Sequence, residues 1–68
     1  MTERTWVTFI TAHQAQPGRR MRVDEGSPVL MVKERVLCGR REHIVWAEGG
    51  GIPVAFARKR RWQIEVWV

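Results

Sequence analysis

The residues with the clearest chemical character in this sequence are its arginines, which occur in short runs. The segment "ARKRRW" places four cations, Arg58 to Arg61, directly before Trp62. Guanidinium groups pair with phosphates and carboxylates, and adjacent like charges are tolerated where water screens them or an anion binds. The run therefore indicates either a solvated turn or part of an anion-binding surface.

Two more cationic clusters flank expected turns, one around the pair Pro17 and Gly18 and one after Cys38. A fold that brings at least two of the three clusters onto one rim would create a phosphate-binding surface. An exposed indole nearby would add a platform for stacking bases. The residues predicted to contact nucleic acid are Arg19, Arg20, Arg22, Arg40, Arg41, Arg58, Lys59, Arg60, Arg61 and Trp67.

The four tryptophans are expected to divide between the core and the surface. In the final segment, "RWQIEVWV", strict alternation places Trp62 on the apolar face and Trp67 on the opposite face. Trp6 and Trp46 stand in apolar segments and are expected in the core. Trp67 is then an exposed residue that stacks a base or anchors a protein partner, or it packs in a second small cluster with Phe9.

Catalytic chemistry has little support in the sequence. Carboxylates occur singly, Ser27 has no partner at a known spacing, and Cys38 lacks an identifiable base. His13 and His43 form neither a CxxC nor an HExxH pattern, and the glycines at 49–51 are not followed by the Lys-Ser/Thr of a P-loop. We expect a protein that is not an enzyme and has no cofactor or metal site.

The length of 68 residues predicts a single small domain spanning 1–68. Its single cysteine excludes an intrachain disulfide, the usual support of small secreted domains, which favours a cytoplasmic location. The sequence has no signal-peptide pattern and no apolar run near the roughly 20 residues that span a bilayer, so no membrane contact is expected. The net charge of +5 suits nucleic acid or an acidic protein surface.

Alternating apolar residues predict short strands in several segments, among them "RMRV", "EHIVWAE" and "IPVAFAR". The segment Thr5 to Thr11 carries apolar groups on both faces, so it is expected to be a central or doubly covered strand. For Val29 to Val36 a strand is favoured, with a helix capped by Ser27 as the alternative. Six strands joined by turns predict an all-β fold, a small SH3-like, mostly antiparallel β-barrel of five or six short strands.

The segment "GRRMRVDEGSPVLMV" (Gly18 to Val32) followed by "VWAEGG" (Val45 to Gly50) resembles the pattern of the small YodC-like bacterial proteins. The resemblance spans residues 18–60, about two thirds of the chain, and implies an SH3-like β-barrel with no established activity. This chain differs in an added N-terminal strand, in Ile44 where a cysteine often stands, and in a more basic, tryptophan-rich C-terminus. The matching positions are Gly26, Ser27, Pro28, Met31, Val32, Trp46, Glu48, Gly49 and Gly50.

Together these features predict a non-enzymatic binding module that contacts nucleic acid through an arginine-rich rim. The alternative is a protein-interaction module, such as a phage- or plasmid-type regulator or inhibitor of a host complex, which uses Trp67 or an edge strand. Self-association is a related case, in which the apolar terminal strand ending in Trp67 and Val68 pairs with a second copy.

Overall fold

The computed structural model describes residues 3–67, which form one antiparallel sheet with a short helix. The sheet order is β1-β6-β2-β3-β4-β5, and each pair of neighbours is antiparallel. This confirms the predicted all-β, mostly antiparallel fold. The elements are β1 (Arg4–Thr8), a 3₁₀ helix (Ala12–Gln14), β2 (Arg20–Arg22), β3 (Leu30–Cys38), β4 (Arg41–Trp46), β5 (Gly51–Pro53), α1 (Val54–Lys59) and β6 (Gln63–Trp67).

The sheet is not closed into a barrel. Within residues 3–67, β1 and β5 have no strand partner on their outer sides. The prediction that the N-terminal strand is central is therefore wrong, since β1 lies at an edge and none of its residues is fully buried. The terminal strand is not an edge strand, because β6 lies between β1 and β2. Self-association through an edge strand stays a prediction, and Val68 is outside the described residues.

One hydrophobic core lies on one side of the sheet. Its centre is a pair of stacked indoles, Trp46 and Trp62, with ring centroids 5.8 Å apart and an interplanar angle of 5°. Both tryptophans were expected inside, and both are buried. The largest fully buried side chains around them are Phe9, Met21, Val32, Ile44 and Ile64.

The ambiguous segment after Ser27 is a strand, as favoured. Ser27 caps no helix; its backbone N–H donates to the Asp24 carbonyl at 3.1 Å and its hydroxyl donates to the Asp24 carboxylate at 2.6 Å. Gly26 has a φ of 95°, which a glycine adopts without steric cost, and completes this turn. The chain then enters β3, which reverses into β4 through a turn at Gly39 and Arg40.

The segment "IPVAFAR" is only partly a strand, which corrects the prediction of a continuous one. The strand β5 ends at Pro53, whose φ of −62° and ψ of 140° make it the N-cap of α1. Val54 and Ala57, three residues apart, then face the core and are buried. In the described part of the chain, no helix is long and apolar enough to cross a membrane.

Candidate functional site

The side of β1, β6 and β2 that points away from the core forms a polar and aromatic surface, here called the outer face. Period-2 alternation creates it, because Val7, Ile64 and Met21 point inward and their chain neighbours point outward. The residues of the outer face are Arg4 and Trp6 from β1, Gln63, Glu65 and Trp67 from β6, and Arg20 and Arg22 from β2.

A carboxylate at the centre of the outer face ties three strands together. Arg20 donates two hydrogen bonds to Glu65, at 2.9 and 2.8 Å, and Arg4 lies 3.9 Å from the same group. The hydrogen bond from Arg20 is the main reason that the pKa of Glu65 lies below its usual value. This bidentate contact fixes the orientation of the Arg20 guanidinium.

Both indoles of the outer face carry a guanidinium group. The Arg22 guanidinium carbon lies 4.1 Å from the Trp6 ring centroid, and that of Arg4 lies 4.4 Å from the Trp67 ring centroid. Trp67 is 53% exposed, which agrees with its predicted position on the surface. Trp6 was expected in the core, but it lies half-buried on the outer face because it shares the parity of Arg4 on an edge strand.

The alternative in which Trp67 packs with Phe9 does not apply. Phe9 is 1% exposed and belongs to the core, on the other side of the sheet. The Phe9 backbone N–H donates to the Trp62 carbonyl at 2.8 Å, which continues the β1–β6 pairing beyond the strand itself. Trp67 is left with Arg4 as its stacking neighbour.

A shallow cavity of ≈ 240 Å³ lies beside Trp67. Its far wall includes Gly18 and Arg19, which follow Pro17 in a turn closed by a 3.1 Å hydrogen bond from the Arg19 N–H to the Gln16 carbonyl. Gly18 has a φ of 91°, as the third residue of the predicted type II turn requires. The residues that line the cavity are Arg4, Gly18, Arg19, Arg20, Met31, Glu65 and Trp67.

A second cationic site, here called the hairpin groove, lies between the β3–β4 hairpin and α1. It has a volume of ≈ 510 Å³ and brings together two of the three predicted clusters, with Arg40 and Arg41 on the hairpin and Arg58 on the helix. The carboxylate in its lining, Glu42, forms a 3.5 Å ion pair with Arg35. The other lining residues are Ala12, Pro53, Val54 and Ala55.

The remaining cations of the "RKRR" run mark the end of α1. The expectation that this run forms a solvated turn is confirmed only for Arg60 and Arg61, because Arg58 and Lys59 are the last two residues of α1 and Arg60 is its C-cap. Arg61 has a φ of 55°, and the Arg61 and Trp62 N–H groups donate to the Arg58 and Ala57 carbonyls. This is the Schellman arrangement that ends many helices. The residues 59–61 line neither cavity.

Sequence reasoning did not include Arg4, Trp6, Gln63 and Glu65 of the outer face among the candidate site residues. Arg4 and Trp6 are two residues apart, so the alternation of "RTWVT" could have placed them on one face. The role of Glu65 depends on an Arg20 that lies 45 residues away in the chain, and no local pattern reports such a contact.

Comparisons of the chain with known protein families, with characterised proteins and with solved structures found no match. The resemblance to the YodC-like proteins stays a prediction.

Proposed function

We propose that this chain is a non-enzymatic module that binds single-stranded nucleic acid on its outer face. The observation that carries the proposal is the arrangement of Trp6 and Trp67 on one sheet surface with arginines placed between and beside them. Aromatic side chains on an open β-surface stack unpaired bases, and neighbouring cations hold the backbone phosphates. The module therefore needs no cofactor.

The charge of the surface supports this partner. Arg4, Arg20 and Arg22 lie on the outer face and Arg19 lies on the rim of its cavity, against the single carboxylate of Glu65. Four positive groups and one negative group leave three net positive charges. Since Glu65 is only 13% exposed, its charge is directed mainly to Arg20 rather than to an incoming ligand.

The shape of the site favours a single strand over a duplex. The outer face is a sheet surface with one half-exposed indole, and the cavity beside that indole offers room for an unpaired base. Proteins that read the major groove of a duplex commonly insert a helix or a ribbon. In residues 3–67 the one α-helix has only six residues and packs against β4 and β5.

A protein partner is the second candidate function, and the cavity beside Trp67 is the observation that favours it. Tryptophan, arginine and methionine, the residue types enriched in protein interfaces, line this cavity as Trp67, Arg4 and Met31. The net positive charge would select an acidic surface. This candidate predicts that Trp67→Ala weakens binding of an acidic protein while oligonucleotides do not bind at all.

The test is an anisotropy titration of labelled single-stranded oligonucleotides with wild-type protein and with Trp67→Ala. Stacking of one base is worth about 1–3 kcal/mol, so the variant is expected to lose roughly 5- to 150-fold in affinity. Phe56→Ala is the matched control, because Phe56 is an aromatic residue on α1 that is 42% exposed and lies off the outer face. Equal affinities of the two variants would refute the role of Trp67.

A salt series completes the test. Neutralisation of phosphates releases counterions, so affinity for a single strand should fall with a log–log slope of about −0.7 for each phosphate contact. Arg22→Ala should make this slope shallower by about 0.7, since the Arg22 guanidinium lies over Trp6 on the outer face and donates a hydrogen bond to Gln63 at 2.6 Å rather than to a carboxylate. Binding that does not depend on salt, or no binding, would reject nucleic acid as the partner.

A further inference from the structure

We propose that the hairpin groove is a second phosphate site, which binds the backbone of the same strand that the outer face holds by its bases. The inference rests on the proposed function. It starts from the convergence of Arg40, Arg41 and Arg58, which come from two separate elements and line one groove of ≈ 510 Å³.

The charges of the hairpin groove are unbalanced. Among the described residues, Arg40, Arg41 and Arg58 have no acidic partner within 4.0 Å, and the nearby Glu42 is paired with Arg35. Three like charges around one groove repel each other unless an anion or water separates them. An anionic ligand would therefore reduce the repulsion among these three arginines, which no carboxylate within 4.0 Å neutralises among the described residues.

The lining of the hairpin groove selects phosphate rather than bases. Its walls between the arginines are the small side chains of Ala12, Pro53, Val54 and Ala55, and no aromatic residue lines it. Guanidinium groups bind phosphate oxygens with two parallel hydrogen bonds. The groove can thus hold the backbone of a strand, whereas stacking stays on the outer face.

The two sites are far enough apart for oligonucleotide length to separate them. Met31, beside the outer face, and Cys38, at the hairpin, are seven residues apart along β3. At about 3.3 Å per residue this is at most roughly 23 Å. A stacked strand advances about 3.4 Å along its axis for each phosphate, so roughly seven nucleotides of stacked strand cover the distance. An oligonucleotide of about three nucleotides reaches one site, and one of about twelve reaches both.

The experiment compares these two lengths in wild-type protein and in the double variant Arg40→Ala/Arg58→Ala. For the longer oligonucleotide, loss of two phosphate contacts should make the salt slope shallower by about 1.4. For the shorter one, affinity should change little. The control Lys33→Ala removes one positive charge from an exposed position that lines neither cavity, and it should keep the wild-type slope.

Each outcome decides between the two proposals. One outcome is that wild-type protein binds the longer oligonucleotide but the groove variant keeps the wild-type salt slope, or the control loses as much of that slope as the groove variant does. In that case the hairpin groove is not a phosphate site, and the proposal for the outer face is unaffected. If wild-type protein binds neither length, the proposed function fails and the second site fails with it. Both groove positions are exposed, and far-UV circular dichroism verifies that the variants are folded.

Discussion

Replacement of Arg61 by glycine should stabilise the protein, although it removes a charged side chain. Arg61 follows the C-cap of α1 with a φ of 55°, in the left-handed region where glycine is the preferred residue. A residue with a side chain in this conformation destabilises the folded state by about 1–2 kcal/mol, which glycine avoids. Glycine also has more freedom in the unfolded chain, and this lowers the free energy of unfolding by about 0.5–1 kcal/mol. The net stabilisation is about 0.5–1 kcal/mol.

Thermal unfolding followed by circular dichroism measures this effect. In a domain of this size 1 kcal/mol shifts Tm by about 4–8 °C, so Arg61→Gly should raise Tm by about 2–8 °C. Arg60→Gly is the matched control, because Arg60 has a φ of −85° and no strain to relieve, and it should lower the free energy of unfolding by about 0.5–1 kcal/mol. A lower Tm for Arg61→Gly would refute the strain argument.

Three further predictions concern the sheet and the core. Arg20 lowers the folded-state pKa of Glu65, so the ionised Glu65 stabilises the fold above pH 4.5, the ordinary pKa of its carboxyl group. This stabilisation is lost as the pH falls through the folded-state pKa. In urea unfolding at stepwise lower pH, Glu65→Gln should not show this acid loss. Gly51→Ala should cost about 1–3 kcal/mol in the same assay, since a Cβ there would overlap the Ile44 carbonyl. Trp62→Ala should cost about 3–5 kcal/mol, a large part of the total stability of about 3–10 kcal/mol at this size, and should therefore lower the Tm measured by circular dichroism sharply.

The sequence predicted strands best where alternation runs without interruption. The last strand keeps strict period 2, so the burial of Trp62 and the exposure of Trp67 follow from the sequence. The helix α1 was missed because Ile52, Val54 and Phe56 also alternate. Tertiary packing favours the helix in this segment, since Ala57 is fully buried in the core and lies at helical spacing from Val54.

The candidate site was predictable as residue types but not as an arrangement. The insertion of β6 between β1 and β2 brings Glu65 to Arg20 and Trp67 to Arg4, and sheet order is a non-local property. Arg20 is separate from the hairpin arginines because it pairs with Met31 near the start of β3, whereas the hairpin lies at the other end of that strand. Arg40 and Arg58, which belong to two different arginine clusters of the sequence, line one groove because α1 packs against β4.

The most direct test of the outer face is a tryptophan-emission titration with a single-stranded oligonucleotide of about twelve nucleotides, at low and moderate salt. Trp46 and Trp62 are 5% and 8% exposed, so ligand-dependent quenching must come from Trp6 and Trp67. The account predicts saturable quenching that weakens with salt and disappears in the Trp6→Phe/Trp67→Phe variant. Folded protein whose emission does not change at either salt, or quenching that persists in that variant, would contradict it.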